Sequence, residues 1–338
     1  MRLTSESVEL ALIHAFRISR STDTHKQNVI VSLSDNGYTG IGEAAPSVYY
    51  DESQERVLDT LALAPPFLGD DPFDMERLGR RLHQSMPSSA AARAAVDIAL
   101  HDLVAQRLGI PLYRLFGLNP SRTPLTSFTI GIDDPDIVRL KVREAAKYPI
   151  LKVKLGAGND LEIVRAIREE TDAAIRIDAN AGWTVHEAQN LIPALADLGV
   201  EMIEQPLPPD DYTGLKMLRE KSPLPIFVDE SVLVATDIPR LAGCVDGVNI
   251  KLMKCGGLRE ALRLIHTARA HGMQVMLGCM IETSVAITAA AHLSPLVDFA
   301  DLDGNLLISN DPYLGVTVED GRLVLPEHPG LGLTKLPS

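Results

Sequence analysis

The stretch Leu151-Lys152-Val153-Lys154-Leu155-Gly156 opens a series of short, β-branched apolar runs that carry a charged residue at their ends. The other four runs are Ile175-Arg176-Ile177-Asp178, Met202-Ile203-Glu204, Ile226-Phe227-Val228-Asp229 and Val248-Asn249-Ile250-Lys251. The charged ends fall at positions 154, 178, 204, 229 and 251, so each step is about 24 residues long. A strand, a loop and a helix fill such a step, which predicts a repeated βα unit with parallel strands.

Three further strands and five helices extend this repeat. The strands are predicted at Phe128-Thr129-Ile130-Gly131, Gln274-Val275-Met276-Leu277-Gly278 and Asp298-Phe299-Ala300-Asp301. Apolar periodicity predicts helices at about 160–171, 184–198, 211–221, 257–271 and 282–293. Eight continuous apolar strands are typical of a (β/α)8 barrel, in which every strand is buried on both faces.

Residues 1 to about 44 follow a different pattern and predict an α+β unit before the barrel. Strands are predicted over Val8–Ile18, Val29–Leu33 and Thr39–Gly42, with a polar loop over Ser19–Asn28. Helical segments follow, the clearest being the alanine-rich run Ser88–Leu108. Glu43 precedes Pro46, so we expect a solvated turn residue there, with a loop over the site as the alternative.

Composition narrows the class of protein. The chain has 338 residues, with 45 acidic against 32 basic side chains and a net charge of −13, which argues against a nucleic-acid or anionic-membrane partner. Its three cysteines have no zinc-like spacing, so a reducing, cytoplasmic location is the default expectation. We find neither an export signal nor a run of about 18 apolar residues, and expect no membrane span.

The charged strand ends are expected to converge, because the C-terminal ends of barrel strands meet on one face, where active sites lie. Asp178, Glu204 and Asp229 would then form three neighbouring carboxylates that repel one another. A divalent ion such as Mg²⁺ relieves this repulsion and keeps coordination positions for water or substrate. The alternative is that the three carboxylates pair only with neighbouring lysines.

Lys154 and Lys251 would flank the carboxylates on opposite sides. A lysine near another cation and near a metal ion has a lowered pKa, which makes its neutral amine available as a base. Lys152 shares a strand face with Lys154, so it could lower the pKa of Lys154 and hold a substrate oxyanion. Two opposed bases favour epimerisation or racemisation at a carbon α to a carboxylate, whereas one active base would favour β-elimination or cycloisomerisation.

Asp301 and Asp303 end the eighth predicted strand, two residues apart and therefore on one side of it. If they face the mouth of the barrel, they could bind a substrate ammonium through charge-assisted hydrogen bonds. The alternative is a polar loop with an Asp-Gly turn at Asp303-Gly304.

Seven motifs resemble those of the enolase superfamily, in the muconate lactonizing subgroup, and within it the dipeptide epimerases. They are Lys152-Val153-Lys154, Asp178-Ala179-Asn180, Glu204-Gln205-Pro206, Asp229-Glu230-Ser231, Asn249-Ile250-Lys251-Leu252-Met253-Lys254, Gly278-Cys279-Met280-Ile281-Glu282 and Asp301-Leu302-Asp303. The resemblance implies an N-terminal α+β capping domain, residues 1–120 completed by 305–338, over a modified (β/α)7β TIM barrel of residues 121–304.

The resemblance also assigns roles to residues. It implies one Mg²⁺ per subunit on the three carboxylates, acid and base roles for Lys154 and Lys251, and a contact of Lys152 with the substrate carboxylate. Asp301 and Asp303 correspond to the pair that binds the free α-ammonium of a dipeptide. Further assignments are a substrate-pocket position for Thr129 and Met280, with ordinary barrel packing as the alternative. Lys254, which does not match the second catalytic lysine, is expected either in a loop or behind the residues that contact the substrate.

Asp23 departs from the pattern that this resemblance implies. Some dipeptide epimerases that act on Ala-Glu place an arginine near this position, and an aspartate would instead repel glutamate and favour a cationic or neutral second residue. Arg20 or Lys26 could replace that arginine.

The sequence thus predicts an isomerase: a Mg²⁺-dependent dipeptide epimerase that inverts the α-carbon of the C-terminal residue. Its partner is a small dipeptide, and a homo-oligomer is possible. The alternatives are an N-acylamino acid racemase, a muconate-type cycloisomerase and a non-catalytic metal-binding barrel.

Overall fold

In the computed structural model, which describes residues 1–18 and 21–337, the chain begins with a three-stranded antiparallel sheet. Its strands are β1 (Arg2–Ile18), β2 (Ser21–Asp35) and β3 (Tyr38–Ala44). The predicted polar loop over Ser19–Asn28 is wrong, because β2 already pairs with β1 at Ser21. The start of β2 has no apolar alternation because its side chains there are exposed or half-buried and none lies in an apolar core. Ser19 and Arg20 lie outside the described residues.

The helices of this unit are α1 (Gln54–Ala62), α2 (Met75–Ser85), α3 (Ala90–Leu108) and α4 (Leu112–Leu115). Of these, α1 and α3 pack on the sheet, and α2 and α4 pack on α3. The alanine-rich α3 packs on β3 at very short range. A Cβ atom on Gly40 would lie 2.0 Å from the carbonyl oxygen of Ala99, and one on Gly42 would lie 1.9 Å from that of Ala95. Small residues on both elements are therefore required for the helix to approach the strand.

The barrel has eight parallel strands in chain order, as predicted. They are β4 (Phe128–Ile130), β5 (Ile150–Lys154), β6 (Ala174–Asp178), β7 (Val200–Glu204), β8 (Ile226–Val228), β9 (Gly247–Lys251), β10 (Gln274–Gly278) and β11 (Phe299–Asp301). A parallel bridge between Thr126 and Ala300 joins the last strand to the segment before the first, so the barrel is nearly closed.

Helices follow the first seven barrel strands. They are α5 (Pro135–Glu144), α6 (Asp160–Arg168), α7 (Val185–Asp197), α8 (Tyr212–Lys221), α9 (Ile238–Leu241), α10 (Leu252–Cys255), α11 (Leu258–Ala270) and α12 (Ser284–Leu293). The last strand, β11, continues into the tail without an α-helix, so the predicted modified (β/α)7β barrel with an N-terminal cap is confirmed. Within the described residues, every helix is too short or too polar to cross a membrane.

The tail after β11 returns to the N-terminal unit. It forms two small antiparallel pairs: β12 (Tyr313–Leu314) with β15 (Thr334–Lys335), and β13 (Thr317–Glu319) with β14 (Arg322–Val324). The amide of Ile13 donates to the carbonyl of Leu307, and the amide of Gly330 donates to the carbonyl of Ile110, both over 2.9 Å. The domain boundaries at 120 and 305 stay a prediction.

Glu43 on β3 connects the cap to the barrel. Its carboxylate accepts hydrogen bonds from the Asn28 side chain (2.8 Å), the Thr283 hydroxyl (2.6 Å) and the backbone amides of Thr283 (2.9 Å) and Ala286 (3.1 Å). The amides belong to the start of α12, where free N–H groups and the helix dipole favour an anion. The expectation of a solvated turn residue is therefore wrong: Glu43 is fully buried, and burial raises its pKa despite these donors.

We predict that Glu43→Gln lowers the free energy of unfolding by about 3 kcal/mol, although the two side chains have the same shape. All the partners of Glu43 are donors, so the amide group of glutamine would face other donors in a buried site. Urea unfolding followed by circular dichroism measures the change. Glu9→Gln, at an exposed position on β1, is the matched control, and an equal, small effect of both substitutions would contradict the prediction.

Candidate active site

A cavity of about 340 Å³ lies between the cap and the C-terminal ends of the barrel strands. Most of the predicted site residues line it: Asp23, Thr129, Lys154, Asp229, Lys251, Met280, Asp301 and Asp303. The remaining three, Lys152, Asp178 and Glu204, are buried and bond to one another or to the lining residues. The structure thus brings all the predicted site residues together.

Three carboxylates form the centre of the site. Asp178 pairs with Glu204 across β6 and β7, and Asp229 directly follows β8. One oxygen of each carboxylate lies within 4.8 Å of the others, and all three residues are buried. Hard oxygen donors at this spacing fit a divalent cation such as Mg²⁺.

The pKa values of the three carboxylates differ. Burial, helped by the charges of Asp178 and Asp229 and opposed by Lys152, raises the pKa of Glu204 to about 7. Burial acts in the same direction on Asp178 and Asp229, but the neighbouring lysines outweigh it and hold both pKa values well below the usual range. The protein's own lysines therefore do not fully relieve the repulsion among the carboxylates.

Lys154 and Lys251 stand on either side of the carboxylates, on β5 and β9, with β6, β7 and β8 between them. The ammonium of Lys154 donates to Asp178 Oδ2 over 2.6 Å, and that of Lys251 donates to Asp229 Oδ2 over 2.8 Å. Both lysines reach the cavity, so a bound molecule between them would have one amine on each side.

Lys152 lies deeper and is 1% exposed. Its ammonium lies 2.6 Å from Asp301 Oδ2, 2.7 Å from Glu204 Oε2 and 3.4 Å from Asp178 Oδ2. It therefore places a positive charge among the carboxylates.

The lowered lysine pKa that is expected beside another cation and a metal ion does not arise at Lys251 from the protein's own charges. Burial lowers the pKa of Lys152 and of Lys251, but nearby carboxylates outweigh burial in both cases. Asp301 acts most strongly on Lys152, and Asp229 on Lys251, so both pKa values rise. Neighbouring cations can be inferred along one strand, whereas these anions come from other strands and surround the lysines only in the folded barrel.

Asp301 and Asp303 occupy one side of the cavity. Asp301 accepts hydrogen bonds from Lys152 (2.6 Å) and from the Ser127 hydroxyl (2.7 Å), and Asp303 accepts one from the backbone amide of Thr129 (2.6 Å). Burial opposes ionisation of Asp301, but Lys152 and Lys154 lower its pKa. Burial and the charge of Asp301 raise the pKa of Asp303 to about 6.

The wall on the cap side is mixed in polarity. Asp23 on β2 forms an ion pair with Lys26 over 2.8 Å, and both side chains are half-buried. Lys26 thus balances the charge of Asp23, and the effect of Asp23 on the second residue of a substrate stays a prediction. Phe16, Ile18, Val48, Tyr49 and Tyr50 add apolar surface to this wall, and Ile281 and Leu307 line the cavity from the barrel and the tail. Met280 also lines the cavity, and its amide donates to Glu282 (2.8 Å).

Two further residues bond to the carboxylates and were not among the predicted site residues. Lys254 was expected either in a loop or behind the residues that contact the substrate; it lies on α10, and its buried ammonium donates to the carboxylate of Asp229. Asn249 donates to Glu204 over 2.7 Å. The signal was the spacing: Lys254 is one helical turn after Lys251, and Asn249 is two strand residues before it, so all three point toward the same region.

Two family models match the chain. Residues 3–117 match the mandelate racemase / muconate lactonizing enzyme N-terminal domain, and residues 137–336 match the enolase C-terminal domain-like model. An L-Ala-D/L-Glu epimerase from Bacteroides thetaiotaomicron is 46% identical over 99% of this chain and 88% of that protein.

Two of the solved structures similar to this chain are also epimerases. A dipeptide epimerase from Enterococcus faecalis, complexed with Mg and L-Leu-L-Tyr, is 35% identical, covers 98% of both chains and has a TM-score of 0.93. A dipeptide epimerase from Methylococcus capsulatus, complexed with Mg and L-Arg-D-Lys, is also 35% identical over 98% of both chains, with a TM-score of 0.92. The second residue of the dipeptide thus differs among these similar proteins.

Proposed function

Because this chain belongs to the mandelate racemase and muconate lactonizing enzyme family of the enolase superfamily, we propose that it is a Mg²⁺-dependent dipeptide epimerase. The reaction inverts the α-carbon of the C-terminal residue of a dipeptide, which makes the protein an isomerase. The observation that carries this proposal is one cavity with a lysine on each side of a buried carboxylate triad and an aspartate pair nearby.

The two lysines move the proton. One neutral amine removes the α-proton from one face of the substrate, and the ammonium on the other face returns a proton, so the configuration at the α-carbon inverts. Lys154 acts on one face and Lys251 on the other. The same two groups exchange roles in the reverse direction, which accounts for interconversion of the two epimers.

The remaining residues stabilise charge. Asp178, Glu204 and Asp229 would hold Mg²⁺, which when bound supplies positive charge that stabilises the developing negative charge on the substrate carboxylate. Lys152 adds a second positive charge close to that carboxylate, and this charge counts most when the enolate forms. Burial of the site strengthens both effects, because water screens charges less there.

Asp301 and Asp303 favour a free amine in the substrate. Asp301 is already neutralised by Lys152, whereas Asp303 receives uncharged donors, the backbone amide and hydroxyl of Thr129 and the thiol of Cys279. Asp303 therefore has the stronger remaining demand for a cation, and we assign it the main contact with the α-ammonium of the dipeptide. An N-acylated amino acid offers no such cation, which disfavours the N-acylamino acid racemase and the cycloisomerase.

Thr129 and Met280 are proposed to help shape the substrate pocket, and the Asp23–Lys26 pair to meet the second side chain. An acidic second side chain would form an ion pair with Lys26, and a cationic one would pair with Asp23. We also propose a cytoplasmic location, supported by three free thiols at Cys244, Cys255 and Cys279. A homo-oligomer stays a prediction.

We predict that the Mg²⁺-loaded protein in ²H₂O incorporates deuterium at the α-carbon of the second residue of Ala-Glu, Ala-Lys or Ala-Leu, with inversion. The same dipeptides with an acetylated amine should not exchange, since Asp303 would then lack its cation. Mass spectrometry measures the exchange and chiral chromatography the inversion.

Other outcomes of that assay separate the alternatives. Exchange only with N-acylamino acids would favour the racemase, and binding without exchange would favour a non-catalytic barrel. Exchange with Ala-Lys but not Ala-Glu would mean that Asp23 dominates over Lys26.

Asp303 should also set the acidic limb of the pH profile. Its raised pKa means that the carboxyl is protonated below about pH 6 and loses its attraction for the ammonium, so kcat/KM should fall as the pH drops through 6. Asp303→Asn should raise KM by about tenfold, affect kcat less and remove this limb. The profiles are measured at saturating Mg²⁺, so that Glu204 is held ionised. Asp210→Asn, at an exposed position, is the control, and an acidic limb that survives in Asp303→Asn would contradict the assignment.

A further inference from the structure

The carboxylates on β7 and after β8 share one hydrogen-bonding arrangement. Glu204 accepts from Lys152 at Oε2 and from Asn249 at Oε1, both over 2.7 Å. Asp229 accepts from Lys251 at Oδ2 over 2.8 Å and from Lys254 at Oδ1. In each carboxylate, one oxygen accepts a hydrogen bond from a lysine that has a proposed role in catalysis. The other oxygen accepts a hydrogen bond from a residue that has no such role.

Asn249 is built into this position. It is fully buried, and its Oδ1 accepts no hydrogen bond from any residue in 1–18 or 21–337. Gly278 makes room for it, because a Cβ there would lie 2.6 Å from Asn249 Oδ1. An unpaired amide oxygen in a buried site costs free energy. The favourable interaction of the Asn249 side chain is therefore the hydrogen bond from Nδ2 to Glu204.

Lys254 is held just as firmly. Its side chain is 1% exposed, and besides the Asp229 carboxylate its ammonium donates to the carbonyls of Asp229 (2.5 Å), Asn249 (3.1 Å) and Val232 (3.2 Å). Three N–H groups are thus shared among four protein oxygens, which leaves none for a substrate. Lys254 does not line the cavity, so it has no acid or base role.

A carboxylate whose second oxygen is bound by such a donor offers a single oxygen to a cation. Mg²⁺ is small and keeps near-ideal octahedral geometry, whereas Ca²⁺ takes six to eight oxygens and accepts bidentate carboxylates. We propose that Asn249 and Lys254 are positioning residues that keep Glu204 and Asp229 monodentate, and so favour Mg²⁺ over Ca²⁺ at this site. The inference rests on the proposed function, because it takes these carboxylates as the metal ligands.

The test is isothermal titration of the full-length protein, freed of metal by chelation, with MgCl₂ and separately with CaCl₂. The readout is the ratio of the two dissociation constants, which needs no catalytic turnover. Asn249→Leu removes the donor at nearly constant volume and unchanged net charge. We expect it to reduce the preference for Mg²⁺ by about tenfold, because Glu204 can then bind through both oxygens.

Lys254→Met tests the second carboxylate. Loss of a positive charge should tighten binding of both ions alike, so affinity alone does not report on positioning. The ratio of the two dissociation constants does report on positioning, and we expect it to shift in favour of Ca²⁺, as in Asn249→Leu. Lys216→Met, at an exposed position on α8, loses the same charge far from the site and should leave the ratio unchanged.

The results also separate this inference from the proposed function. Circular dichroism melting checks that each variant folds, and since the variants act on different carboxylates, either one alone is decisive. If the parent binds Mg²⁺ and folded variants keep its Mg²⁺ to Ca²⁺ ratio, the positioning role is overturned and the proposed function stands. If the parent binds no Mg²⁺, both are overturned.

Discussion

Like charges in a buried site repel one another strongly, and three carboxylates lie within 4.8 Å of one another at the C-terminal end of this barrel. The surrounding lysines lower the pKa of Asp178 and Asp229, but the pKa of Glu204 still rises to about 7. The site therefore demands a cation beyond those that the side chains provide. Lys154 and Lys251 form ion pairs with the triad from opposite sides, so a substrate bound over the triad would have one amine on each side.

The fold supplies what this arrangement needs. Five consecutive parallel strands, β5 to β9, place the charged side chains of the site in chain order, because parallel strands end on the same face. The cap closes the cavity from above, and the burial that results strengthens the charge interactions within it. Glu43 ties the cap to the start of α12, the helix that follows the Cys279–Ile281 wall of the cavity. Stability of the cap and geometry of the site are in this way linked by one buried carboxylate.

The barrel and the central site residues could be predicted from the sequence, because few folds besides a βα barrel repeat a charged strand end about every 24 residues. The start of β2 could not be predicted, because this largely exposed part of the hairpin lacks apolar alternation. The burial of Glu43 could not be predicted either, since a charged residue is buried only when distant partners satisfy it, and its partners Asn28, Thr283 and Ala286 lie on other elements. The lysine pKa values depend on the balance of all nearby charges, which only the assembled site reveals.

Opposed action of Lys154 and Lys251 is the central claim, and stereospecific exchange in single-lysine variants tests it most directly. Lys154→Met and Lys251→Met would each be incubated in ²H₂O with Mg²⁺ and, separately, with the L,L and L,D forms of one dipeptide substrate. We expect neither variant to epimerise, and each to exchange the α-proton of one epimer only, with opposite choices for the two variants. If both variants exchanged the same epimer, or if either still inverted the α-carbon, the two-lysine account would be contradicted.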